Sequence, residues 1–175
     1  KRGDIMSTLK VNKIIPVGGV PTGGGGGIVQ VVQTLKTDVF TSDTTNSFTD
    51  ITGMSVNITP LSSTSKILVS VNMNASNGSD VLHVFRLLRG STVIGASTFA
   101  TSNGFAIFDS EAENIASRGI GHVKAEILDS PSTTSQITYK VQFYKNASGN
   151  MHINRRALNT GAGATSQITA YEVSA

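Results

Sequence analysis

The amino-acid sequence predicts an all-β protein, an antiparallel β-sandwich that is jelly-roll-like and carries an extended N-terminal arm. Three observations predict it. The first is the stretch Leu128 to Tyr144, whose second half alternates without a break. Ile137, Tyr139, Val141 and Phe143 fall on one face, and Thr138, Lys140, Gln142 and Tyr144 on the other. A period of two in β-branched and aromatic residues marks a strand with one buried and one wet face. The second is turn punctuation. Asp129 and Ser130 lead into Pro131, whose fixed φ starts a turn, and similar clusters recur along the chain. Roughly eight to ten short strands at such spacing imply a sandwich or jelly roll. The third is composition. Only 14% of residues are charged, and Ser, Thr, Asn and Gly supply most of the polarity. That suits a rigid β protein better than a helical enzyme rich in Glu, Lys and Ala.

At 175 residues the chain suits one domain with a sizeable core and a short appendage. The expected division is an arm with a glycine-rich linker over 1–27 and a β-sandwich over 28–175. Lys1 to Ile5 read as appended, because Met6-Ser7-Thr8 has the form of a natural start. Arg2-Gly3-Asp4 spells an adhesion tripeptide, too short to carry a role. Leu9, Val11, Ile14, Ile15 and Val17 need burial, yet Pro16 and Pro21 forbid a helix through this stretch. Gly23 to Gly27 is the most flexible linker composition available. No Lys-Ser/Thr follows it and no helix pattern opens there, so a phosphate-binding loop is not supported. An apolar peptide on such a leash is expected to dock on a partner.

Ile28 to Phe40 should be the first body strand, with Ile28 and Val32 on one face and Val29, Val31 and Leu35 on the other. Apolar residues on both faces exceed what a half-exposed edge needs, so Val29, Val31 and Leu35 are candidates for a subunit interface. Asp43 to Ser47 turns the chain, and Phe48, Ile51, Met54, Val56 and Ile58 continue in short strands around Gly53. After a turn at Pro60 to Ser65, Lys66 to Ala75 alternates cleanly, with Ile67, Val69, Val71 and Met73 on one side. Asn77-Gly78 suits a tight turn, which predicts a hairpin of Lys66–Ala75 with Val81–Arg89. Phe85 and Leu87 alternate with Arg86, and Arg89-Gly90-Ser91 leads into a strand over Thr92–Phe99. Ala100 to Ser117 predicts a long loop, with at most one helical turn. Further strands are expected over Gly119–Leu128, Met151–Arg155 and Ser166–Val173. The predicted core is Ile67, Val69, Val71, Phe85, Leu87, Ile137, Tyr139, Val141 and Phe143.

Several function classes lose support here. The formal charge is only +3, and Lys1, Arg2, Lys10 and Lys13 place much of the excess in the arm. No basic cluster with stacking aromatics points to nucleic acid. Cysteine is absent, which removes disulfides and thiolate metal sites. No apolar run approaches the roughly 18 residues of a membrane span, so no membrane insertion is expected. Asp109, Glu111 and Glu113 alternate, so an extended backbone would align three hard carboxylates for Ca²⁺; a solvated acidic loop is the plainer reading. His83, His122 and His152 lack metal-ligand spacing. No G-x-S-x-G elbow accompanies the serines. The Asn-x-Ser/Thr triplets at Asn57, Asn74, Asn77 and Asn146 are expected by chance in this composition. Arg155-Arg156 has the charge to meet an acidic partner but reads more simply as solvated surface. No catalytic residue, cofactor or resident metal is expected, and the chain is not expected to be an enzyme.

Met6–Ile14 (M-S-T-L-K-V-N-K-I), Ile28–Thr34 (I-V-Q-V-V-Q-T) and Phe48–Pro60 (F-T-D-I-T-G-M-S-V-N-I-T-P) resemble recurrent segments of tail-fibre and related virion proteins of marine bacteriophages, cyanophages especially. The resemblance continues through Ser62–Val69, Phe85–Gly90, Leu128–Val141 and Ile168–Val173, in order along the body. Ala100–Ser117 departs from it. The resemblance implies a non-enzymatic phage structural protein, displayed on the virion surface through its arm after assembly in the host cytoplasm. Within that class it implies a tail-fibre or receptor-binding component, a capsid-surface decoration protein being the alternative. It further implies a homotrimer whose partners are itself, other virion proteins and a host-surface receptor or glycan. A carbohydrate-binding module is the remoter reading, because aromatics make up 6% of the chain and Trp is absent.

Overall fold

The structure, a computed structural model, describes residues 27–77, 82–98, 103–108, 119–158, 161 and 163–174. The arm residues Leu9, Val11, Ile14, Ile15 and Val17 lie outside them, as do Asp109, Glu111 and Glu113. All regular structure among the described residues is β. The strands are β1 (Ile28–Lys36), β2 (Phe40–Ser42), β3 (Thr49–Ile58), β4 (Lys66–Asn77), β5 (His83–Arg89), β6 (Thr92–Ile94), β7 (Ala106–Phe108), β8 (Gly121–Asp129), β9 (Ile137–Lys145), β10 (Met151–Ile153) and β11 (Ser166–Val173).

The pairing is that of one long hairpin rolled into two layers. Outward from the β5–β6 turn, the chain pairs with itself antiparallel as β5·β6, β4·β8, β3·β9 and β1·β11. Rolling closes the ribbon through two further seams, β5·β9 and β4·β11. One sheet then reads β8-β4-β11-β1, extended by β10 and β2, and the other reads β3-β9-β5, followed by β6 and β7 on the same side of β5. This double-sheet connectivity is the jelly roll.

Alternation positions the core. The inward faces of β4 (Ile67, Val69, Val71, Met73) and β9 (Ile137, Tyr139, Val141, Phe143) meet between the layers, joined by Phe85, Leu87, Ile168 and Ala170. All nine predicted core residues are buried there, none more than 8% exposed. Val141 and Phe143 lie between β3 and β5, so β9 is the central strand its sequence predicts.

Four expectations need correction. The hairpin of Lys66–Ala75 with Val81–Arg89 does not form: β4 pairs β8, β11 and β10, while β5 pairs β9, β6 and β7 in the opposite layer. The chain crosses between sheets there, and alternation within a strand carries no information about its partner. The first strand ends at Lys36 and resumes as β2 at Phe40. β6 stops at Ile94, because Gly95 has a φ of 61°. Within the expected long loop, Ala106–Phe108 forms a strand on β5.

Polar side chains close the ends of the sandwich. Arg89 donates to both carboxylate oxygens of Asp129 at 2.9 and 3.0 Å, and the buried Tyr139 hydroxyl donates to Asp129 Oδ2 at 2.7 Å. Burial raises the phenol's pKa, and the hydrogen bond to Asp129 raises it further. At the other end Asn154, in the left-handed region at φ 67°, gives its amide to the carbonyls of Lys36 and Asp38 and accepts from Ser166 Oγ. It fastens the end of β1 to the start of β11.

Candidate functional site

β1 is the edge strand of its sheet, and its polarity is inverted. Its even residues pair with Ile168, Ala170 and Glu172, which point into the sandwich. That inward row is Gln30, Val32, Thr34 and Lys36, with Val32 the one apolar member. The outward row is Val29, Val31, Gln33 and Leu35, and its apolar members are 48%, 55% and 54% exposed. Ile28 at the strand's start is also exposed. A sheet facing the core on one side and water on the other shows the opposite order.

The polar inward row is satisfied. Lys36 lies buried with its Nζ on Asp38 Oδ1 at 2.9 Å, and this hydrogen bond lowers the carboxyl's pKa. Glu172, fully buried, accepts from the Leu61 amide at 2.8 Å. Gln30, with its amide nitrogen turned toward them, donates to Glu172 Oε2 and to the Thr59 carbonyl. Among the described residues the outward apolar row has no such account.

Register carries the same feature across the sheet. Val31 pairs Tyr171, Tyr171 pairs Leu68, and Leu68 pairs Leu128, which makes one apolar row over four strands. Leu128 is 55% exposed. The next row, Gln33–Thr169–Ser70–Glu126, is polar, and Gln33 donates to Thr169 Oγ1 at 3.1 Å. Beyond it Leu35 stands in line with Gln167, Asn72 and Lys124. Over β1 and β11 the outward face holds no charged residue. Edge strands that must stay single are usually guarded by charge or proline, and neither stands on the outward face of β1.

The outer face of the other sheet is charged. Asp50, Gln142 and Arg86 stand in one cross-strand row. Asp50 Oδ2 accepts from Lys140 Nζ at 2.8 Å and Oδ1 from the Gln142 amide at 2.6 Å. Burial pushes the Asp50 carboxyl up, but the hydrogen bonds from Lys140 and Gln142 outweigh it and hold it below the usual range. Arg86 donates from Nε and Nη2 to Gln142 Oε1 and lies 3.5 Å above the Phe48 ring.

The remaining candidates serve the fold. His83 is buried within hydrogen-bonding distance of Asn77, His152 is buried against Thr41, and His122 stands exposed on β8. The described residues contain no group of three or more His, Cys, Asp or Glu that could hold a metal. Arg155 donates to the carbonyls of Arg156 and Ala157 and so folds back on its own loop. Asn57, Asn74 and Asn146 hydrogen-bond to Thr138, Thr165 and Leu82. No described helix is long and apolar enough to cross a membrane.

The fold and this face define a jelly-roll domain whose outer surface over β1 and β11 is uncharged and partly apolar. No protein-family model and no curated protein matches the sequence. Among solved structures the chain is similar to a mutant VP2 protein of infectious bursal disease virus in derived T=1 particles, with TM-score 0.39 and 16% identity, covering 83% of this chain and 36% of that one. It is also similar to the structure of that virus's Gx strain, with TM-score 0.40 and 13% identity over 94% of this chain and 42% of the other. For the Gt strain the values are 0.40 and 14%, over 95% and 43%. The chain thus spans well under half the length of these chains. Likeness this distant says nothing about what the chain does.

Proposed function

We propose that the chain is a non-enzymatic structural protein of a phage particle, a tail-fibre or receptor-binding component that works as a homotrimer. Copies meet through the outward face of β1 and its sheet, and the N-terminal arm (Leu9, Val11, Ile14, Ile15, Val17) docks on another virion protein. The inverted polarity of β1 carries this reading. Three apolar side chains point outward while a lysine, a glutamine and a threonine point in. A second subunit on the β1–β11 part of that face would cover its apolar side chains without burying a charged one. The resemblance to cyanophage fibre proteins supports the particle, and the jelly roll suits a virion subunit.

Electron cryomicroscopy of the particle that carries this chain tests the reading. Density at the tail is expected. Density on the head surface would replace it with capsid decoration, and absence from the particle would sink both.

A further inference from the structure

The strand opposite β5 is broken at one residue. β6 pairs with Leu87 to Arg89 and β7 with His83 to Phe85, so Arg86 has a strand neighbour only in β9. On the outer face of β5, Val84 and Leu88 are buried and only Arg86 reaches solvent. Chain leaves the break at Gly95 and returns at Asn103 to Phe105. The Phe105 amide donates to the Phe85 carbonyl at 2.8 Å, and the Ser97 amide to the Gly104 carbonyl at 3.0 Å. Two glycines permit this close course. A Cβ at Gly95 would collide with Ile127, and one at Gly104 with the Phe85 carbonyl. The result is a cleft of about 410 Å³, with Arg86 on one side and Ala96, Ser97, Thr98 and Asn103 on the other.

Arg86 is held ready at this cleft. Phe48 supports its plane, and Gln142 fixes one edge of the guanidinium. Gln142 is itself fixed by Asp50, whose second oxygen is taken by Lys140. Nη1 meets no acceptor among the described residues. A partly desolvated guanidinium with an open donor is suited to a planar anion. Among the described residues no second cation lines the cleft, which matches a single negative charge better than a phosphate dianion. The exposed Thr98 hydroxyl in the lining suits a hydroxylated body.

We propose that this cleft binds the carboxylate of an acidic sugar, with Arg86 as the charge partner and Thr98 facing the ring. Recognition rests on charge and hydrogen bonds rather than on an aromatic platform, in keeping with a chain that lacks Trp. This deepens the receptor-binding reading above by naming the ligand class.

Saturation-transfer NMR on the full chain, with sodium D-glucuronate as probe and D-glucose as the neutral control, tests it. Saturable transfer to glucuronate is expected, with glucose at least about tenfold weaker. Arg86→Gln should abolish transfer. Arg86→Lys, which keeps the charge over Phe48 but loses the fork, should weaken binding about tenfold. Thr98→Val, on an exposed wall residue, should weaken binding without lowering the melting temperature, and so covers an Arg86 variant that fails to fold. Absence of transfer at millimolar glucuronate would overturn the proposal. Equal transfer to glucose, full retention in a folded Arg86→Gln, or displacement by equimolar sodium sulfate or acetate would do the same. Light scattering on the same sample separates this from the assembly reading: a monomer that binds glucuronate fails only the latter, and a trimer that does not bind fails only this one.

Discussion

Val141 is fully buried at the centre of β9, between β3 and β5, in the apolar core cluster. Val141→Ala leaves a cavity that close packing cannot fill, and a loss of about 2 kcal/mol in urea unfolding is expected. Val141→Asp buries an unpaired carboxylate, so loss of the folded state by circular dichroism is expected; a parent-like melt would refute the strand's placement. His152 governs a different variable. It is 4% exposed, with Nδ1 2.9 Å from Thr41 Oγ1. Burial pushes its pKa below the ordinary 6.5, and the nearby Arg155 pushes it the same way. The unfolded chain therefore binds the proton more readily. Stability is highest above the unfolded value and falls as pH drops below about 6.5 toward the folded pKa. Thermal melts at constant ionic strength should show a lower Tm at pH 5.5 than at pH 7.5. In His152→Gln the difference should shrink; an unchanged pH slope would assign it to other groups. Asp50, with its lowered pKa, titrates below 3.8 and lies outside that window.

At the scale of the strand, alternation made most of the fold legible. Ile137 to Phe143 and Ile67 to Met73 alternate with the period of the pleat, and their odd-numbered residues are the ones buried. Pairing was not legible. Asn77-Gly78 suggested a local turn, yet β4 and β5 lie in different layers because the rolled ribbon pairs residues far apart in sequence. Arg86 was readable as the polar break in an apolar strand, but not the gap between β6 and β7 that turns it toward a cleft. That gap is a property of three strands together. Asn154 was missed for a related reason, since its partners, Lys36, Asp38 and Ser166, come from two distant elements. β1 was half read. Val29, Val31 and Leu35 share a face and that face is the outward one, whereas the polar content of the inward row, Gln30, Thr34 and Lys36, follows only from the pairing with β11. Replacing both Val31 and Leu35 with Ser therefore makes a specific prediction. The melting temperature of the dissociated subunit should move little, because exposed positions typically shift stability within about ±0.5 kcal/mol. Self-association, followed by sedimentation velocity, should be lost. A large drop in subunit stability with association intact would place these side chains in the subunit's own core.

Assembly is decided at the scale of the whole molecule. Each chain offers one outward face with an apolar row, Val31–Tyr171–Leu68–Leu128, at one end and, beside it, a polar row that stays uncharged over β1, β11 and β4 and ends in Glu126 on β8. Identical chains that cover such a face do so most economically in a closed ring. A two-fold pair would lay the face on its own copy, whereas a three-fold ring sets the β1 edge of each subunit against the next. On the reading proposed above, the three-fold is expected. On the same reading the arm would add a second contribution, through the apolar Leu9, Val11, Ile14, Ile15 and Val17 ahead of the glycine run. Removal of residues 1–26 keeps Gly27, whose carbonyl accepts from Ser174, and should leave the sandwich folded while abolishing incorporation into the particle. Light scattering coupled to size exclusion should give three times the 18.3 kDa chain mass at micromolar concentration for the intact chain. A two-chain mass would transfer the face to a two-fold interface, and a one-chain mass with the arm intact would reject self-assembly through β1.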